Sequence, residues 1–111
     1  MPGGERFYDQ SFGTQVDVDQ QAASFFVTTE YGLRSHEWQV RVTKRSSRPQ
    51  PTILAIPALP SSLTQPEEER IVSGIHAEVT RLLGEGTAVS SLQSAMSDIV
   101  RRLLAQEIGR R

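Results

Sequence analysis

Ser24-Phe25-Phe26-Val27-Thr28-Thr29-Glu30-Tyr31, a break at Gly32-Leu33-Arg34-Ser35-His36, and Glu37-Trp38-Gln39-Val40-Arg41-Val42-Thr43-Lys44 together decide the fold. Successive side chains of a strand point to opposite faces. Phe25, Val27, Thr29 and Tyr31 therefore share one face of the first run, and Phe26, Thr28 and Glu30 the other. In the second run Trp38, Val40 and Val42 face inward, while Gln39, Arg41 and Thr43 face outward. β-Branched and aromatic residues fill both runs, as strands prefer. Gly32 can take the positive φ of a turn. Two alternating runs around a short polar break predict an antiparallel hairpin that buries Trp38, Val40 and Val42. Either Phe25 with Val27, or Phe26, joins them.

Upstream, Val16-Asp17-Val18-Asp19 alternates briefly and reads as an edge strand. Residues 1–13 scatter Phe7, Tyr8 and Phe12 among Gly, Asp, Gln and Ser with no period, which predicts a flexible tail. Downstream, the proline-rich stretch 45–51 predicts a mobile linker. Thr52-Ile53-Leu54-Ala55-Ile56 is apolar throughout and reads as a third, central strand, closed by Pro57 and Pro60.

Thr64 lies three residues before Glu67, the capping-box spacing, and Pro66 fits a first helical turn. Glu67, Glu68 and Glu69 suit the positive end of the helix dipole. Ile71, Val72, Ile75, Val79, Leu82 and Leu83 then cover an arc of about 120°. Gly84-Glu85-Gly86 ends this helix, and Thr87 is positioned to cap a second one carrying Val89, Leu92, Met96, Ile99 and Leu103. Strands first and helices second predict an α+β fold. It would be an antiparallel three-strand meander, or four-strand if Val16–Asp19 pairs, followed by two C-terminal helices packed on one face. A single domain over 14–108 is expected, with helices at about 65–83 and 87–108.

The chain has 111 residues, enough for one domain whose core needs no staple. It has no cysteine, which excludes a disulfide, a thiolate nucleophile and a thiolate zinc site. A net charge of −1 gives no global field to hold nucleic acid or an anionic membrane. No apolar run is long enough to span a bilayer, no secretory signal opens the chain, and no asparagine offers a glycosylation site. An intracellular, cytoplasmic protein is the expectation.

Catalytic motifs are weak. No Gly-x-Ser-x-Gly elbow singles out a nucleophile among the serines. His76-Ala77-Glu78 matches half of a zinc deaminase signature, whose cysteine half this chain cannot supply. His76 falls at the edge of the apolar arc, as a ring that packs and exposes one nitrogen. His36 and His76 with Glu37 and Glu78 would hold a metal only if the hairpin tip met the helix. Asp17 and Asp19 point the same way, as a catalytic pair or simply as the wet side of an edge strand. Gly84-Glu85-Gly86-Thr87 precedes a helix, where amides can hold an anion, but it follows a helix and reads as a turn. Neither a catalytic residue, a metal nor a cofactor is predicted.

Two features remain. Val89, Leu92, Met96, Ile99 and Leu103 recur at spacings of 3, 4, 3 and 4, a heptad seam that Val100 and Leu104 widen. That is more apolar surface than three strands and one helix need, so a partner contact is expected there. Arg41, Lys44, Arg45 and Arg48 form a basic strip near Phe26, Tyr31 and Trp38, the recipe for single-stranded nucleic acid. The expected function is a non-catalytic protein–protein interaction domain, a homodimer or a subunit or adaptor of a larger assembly, binding through the C-terminal helix. A single-stranded nucleic-acid binder using the sheet face and the basic strip is the alternative, and an enzyme without a recognisable motif comes third.

Overall fold

The computed structural model describes residues 12–18, 23–32, 37–45, 48 and 50–110. Strands β1 (Phe12–Val18), β2 (Ala23–Gly32), β3 (Glu37–Lys44) and β4 (Pro51–Ala55) precede helices α1 (Gln65–Gly84) and α2 (Val89–Gly109). The strands form one antiparallel meander in the order β1-β2-β3-β4. The fold is therefore α+β, with four strands in the sheet.

The hairpin pairs Tyr31 with Trp38 and Val27 with Val42, as its alternation requires. Val27, Trp38, Val40 and Val42 are buried and Phe25 packs beside them, whereas Phe26 lies on the opposite face. The upstream strand is longer than Val16–Asp19: it begins at Phe12, so Phe12 and Gly13 belong to the sheet and not to a tail. Its length comes from backbone pairing along β2, which does not need an alternating hydrophobic pattern. Residues 1–11, Asp19 and the hairpin tip 33–36, including His36, lie outside the described residues. The linker is shorter than expected. Arg45 N–H still donates to the Ser24 carbonyl at 2.9 Å, and Pro51 already opens β4. Ser46, Ser47 and Pro49 lie outside the described residues.

The capping box at Thr64 forms in both directions. Thr64 Oγ1 accepts from Glu67 N–H at 3.3 Å, and Glu67 Oε1 accepts from Thr64 N–H at 2.9 Å. The far end of α1 closes in a Schellman motif: Gly86 N–H donates to Leu83 O and Thr87 N–H to Leu82 O, both at 3.0 Å. Gly86 takes φ +94°, which a side chain would resist. Thr87 is thus part of α1's cap and not the cap of α2, whose N-cap is Ala88.

Both helices pack on one face of the sheet, α1 over β1 and β2 and α2 against β4. One core joins them, with Val27, Val40, Leu54, Ile71, Ile75, Val79, Leu92 and Met96 almost wholly buried. Gly74 lets the helices close on each other, because a Cβ there would stand 3.1 Å from both methyls of Leu103.

Candidate binding surfaces

The heptad seam of α2 is the domain's own core. Leu92, Met96, Ile99 and Val100 are buried within the chain, and Val89, Leu103 and Leu104 pack against them half-buried. A sheet of four strands lets α1 lie over β1 and β2 and leaves β4, with Leu54 buried, for α2. Leu92, Met96, Ile99 and Val100 are thus used within the domain, while Val89, Leu103 and Leu104 keep part of their surface exposed.

The basic strip is divided by the pleat. Arg41 stands on the uncovered face, where its guanidinium meets Glu30 at 3.0 Å. Lys44 and Arg48 line a groove of about 380 Å³ with Phe25, Val42 and Val89, on the helix side of the sheet. Arg45 is exposed at the strand end. Tyr31 and Trp38, the aromatic part of the recipe, sit on the covered face with their rings in edge contact at 5.3 Å.

His76 goes deeper than the edge of the helix arc suggested. It is 8% exposed, and its Nδ1 lies 2.7 Å from Thr29 Oγ1 beneath the sheet. Burial pushes the imidazole below its ordinary pKa of 6.5, because charge is costly there. Glu78 turns the other way. Arg81 donates to it, Arg102 of α2 approaches at 3.1 Å, and the Arg81 hydrogen bond leads in holding its carboxyl below the usual range. The two halves of the His-x-Glu pattern thus serve different neighbours. The amides of Gly86 and Thr87 are committed to the helix cap and do not face an anion. Asp17 lies in β1 and Asp19 outside the described residues. Among the described residues no three His, Asp or Glu are grouped to hold a metal ion, and no helix is long and apolar enough to cross a membrane.

Two contacts carried no sequence signal. Gln93 of α2 reaches the outer edge of β4, where its Oε1 accepts from Ala55 N–H at 2.9 Å and its Nε2 donates to Ala55 O at 3.1 Å. The amide stands in for a fifth strand at that residue. Arg70 of α1 donates from Nε to the buried Glu107 of α2 at 2.8 Å, which pushes the Glu107 carboxyl down. Neither residue belongs to a hydrophobic period, so only the packing of the helices reveals the pairing.

Among the described residues, no element packs on the sheet face away from the helices. Phe26, Thr28, Glu30, Gln39, Arg41, Thr43, Ile53 and Ala55 share it by alternation and register. The Phe26 ring leans across the neighbouring strand, so close that a Cβ on Gly13 would lie 3.1 Å from its Cζ. Gln39 Nε2 donates to Glu30 at 2.8 Å, beside the Arg41 ion pair, so one acid and one base balance at the centre. Among the described residues three large hydrophobic side chains stand exposed, and two are here: Phe26 at 48% and Ile53 at 47%. The third, Ile108 at 56%, lies near the end of α2. Comparison with protein-family models, curated proteins and solved structures finds no match, so a functional reading rests on this geometry alone.

Proposed function

We propose that the chain is a non-catalytic protein-interaction domain that pairs with a second copy of itself through the uncovered sheet face. The observation that carries this reading is the placement of Phe26 and Ile53, both about half exposed, on one face. A surface of this kind on a small domain is commonly an interaction site. A second copy is the proposed occupant because Glu30 and Arg41 pair within the chain, so this pair brings no net charge to repel another copy. Strand spacing gives the face a footprint of about 400 Å² per copy, in the range of weak, reversible contacts.

Nucleic acid is less well supported. Arg41 is paired, Lys44 and Arg48 lie toward the helix side, and Trp38 is buried.

Sedimentation across micromolar to near-millimolar concentrations tests the reading. The unmodified chain should pass from monomer to dimer. Ile53→Lys or Phe26→Ser should hold it monomeric with an unchanged far-UV spectrum, and Ile108→Lys should leave the dimer intact. A chain that stays monomeric throughout refutes the proposal, as does an Ile53→Lys variant that still dimerises. A salt-dependent shift with a labelled oligonucleotide would restore the nucleic-acid reading.

A further inference from the structure

Strand pairing places Gly13, Thr28, Arg41 and Ile53 side by side across the sheet, one residue to each strand. Directly paired residues share a face, so this row lies on the face away from the helices. Its two ends differ from its middle. At the β4 end Ile53 stands up, 47% exposed. At the β1 end Gly13 has no side chain, and the Phe26 ring lies over it, where a Cβ would come within 3.1 Å of Cζ. Glycine weakens a strand interior and often marks a place of close approach. Here it lets the ring lie low. The middle is polar: Thr28 is half-buried, and Arg41 pairs with Glu30 at 3.0 Å. From β1 to β4 the row spans three strand spacings, about 14 Å.

We propose that two copies pair with each Ile53 against the Phe26 ring of the other, about a two-fold axis parallel to the strands between β2 and β3. This arrangement rests on the self-pairing proposed above and fixes how the two faces meet. Sheets that pack face to face keep their strands nearly aligned, about 10 Å apart. Two axes in the plane of contact allow that in a symmetric pair. An axis across the strands, along the row, would set each Arg41 on the Arg41 of the other copy, like charge on like. The axis parallel to the strands turns the row end for end, so β4 meets β1 and β2 meets β3. Each Arg41 then faces Thr28 of the other copy, and both Ile53–Phe26 contacts form at once. The knob at one end of the row meets the low ring at the other, and one surface supplies both.

Nuclear Overhauser contacts between an isotope-labelled and an unlabelled copy of the full chain test this, at concentrations where the dimer dominates. Ile53 methyls of one copy should show contacts to Phe26 ring protons of the other. Gly13→Val supplies a second measurement, read by sedimentation. It should lift the ring into the space that the other copy's Ile53 needs. Self-association should weaken about three- to thirtyfold, since the change acts at two contacts. The unfolding midpoint of this variant at low protein concentration should hold or rise, because valine suits a strand better than glycine. The contact experiment needs no variant, so it decides by itself if the valine chain fails to fold. Ile53–Ile53 contacts between copies in place of Ile53–Phe26, or a Gly13→Val chain that pairs as tightly as the unmodified one, overturn this arrangement and leave self-pairing standing. A chain that stays monomeric overturns both.

Discussion

His76 sits under the sheet with its Nδ1 against Thr29, and the folded chain resists its protonation. The unfolded chain takes up that proton near pH 6.5, the folded chain only at lower pH. Folding stability from this residue is therefore complete above about pH 6.5 and is lost as the pH falls below it. The Glu78 and Glu107 carboxyls, pushed below 4.5 mainly by hydrogen bonds from Arg81 and Arg70, add a second loss in more acid solution. Denaturant unfolding at stepped pH should show both windows. In His76→Gln the upper one should shrink while the lower one stays. Trp38 gives a plainer expectation: it is 5% exposed and packs on Tyr31, so Trp38→Ala should cost about 3–5 kcal/mol in chemical denaturation.

At the scale of elements, the β4 edge is guarded on two sides. Pro51 opens the strand without an N–H to offer, and the Gln93 amide occupies both backbone groups of Ala55. Such devices discourage edge-to-edge pairing with other chains. Gln93→Ala should destabilise the domain by about 1 kcal/mol, since water replaces both exposed hydrogen bonds. Amide hydrogen exchange is the sharper measurement: the Ala55 N–H should exchange faster in this variant while amides in the middle of β3 keep their protection. Unchanged exchange at Ala55 would mean the clamp contributes nothing in solution. The helix pair is tied differently, by Gly74 against Leu103, by Arg70 on Glu107 and by Arg102 on Glu78.

For the whole molecule, one buried cluster runs from Val27 and Val40 in the sheet through Ile75 and Val79 to Met96 and Val100. Neither layer has a core of its own. Sheet and helices should therefore unfold together, with Trp38 fluorescence and far-UV signal following one transition in urea. Separate midpoints would show that the layers are independent. If the open face pairs two copies, that transition should also move to higher denaturant as protein concentration rises.

Local patterning alone determined the hairpin, because a period of two leaves each side chain only one face. It likewise determined the start of α1, because Thr64, Pro66 and Glu67 satisfy local donors whatever surrounds them. It determined that α2 carries an apolar stripe. Which surface that stripe meets depends on long-range packing, since a helix that packs on its own sheet and one that packs on a partner show the same spacing. Burial of Leu92 and Met96 follows from α2 lying against β4 beside α1, an arrangement that local spacing does not record. The placing of Arg41 apart from Lys44, the Gln93 clamp on Ala55 and the pairing of Arg70 with Glu107 all join residues far apart in the chain. Their neighbours are set by how the layers pack, and local periodicity holds no record of that.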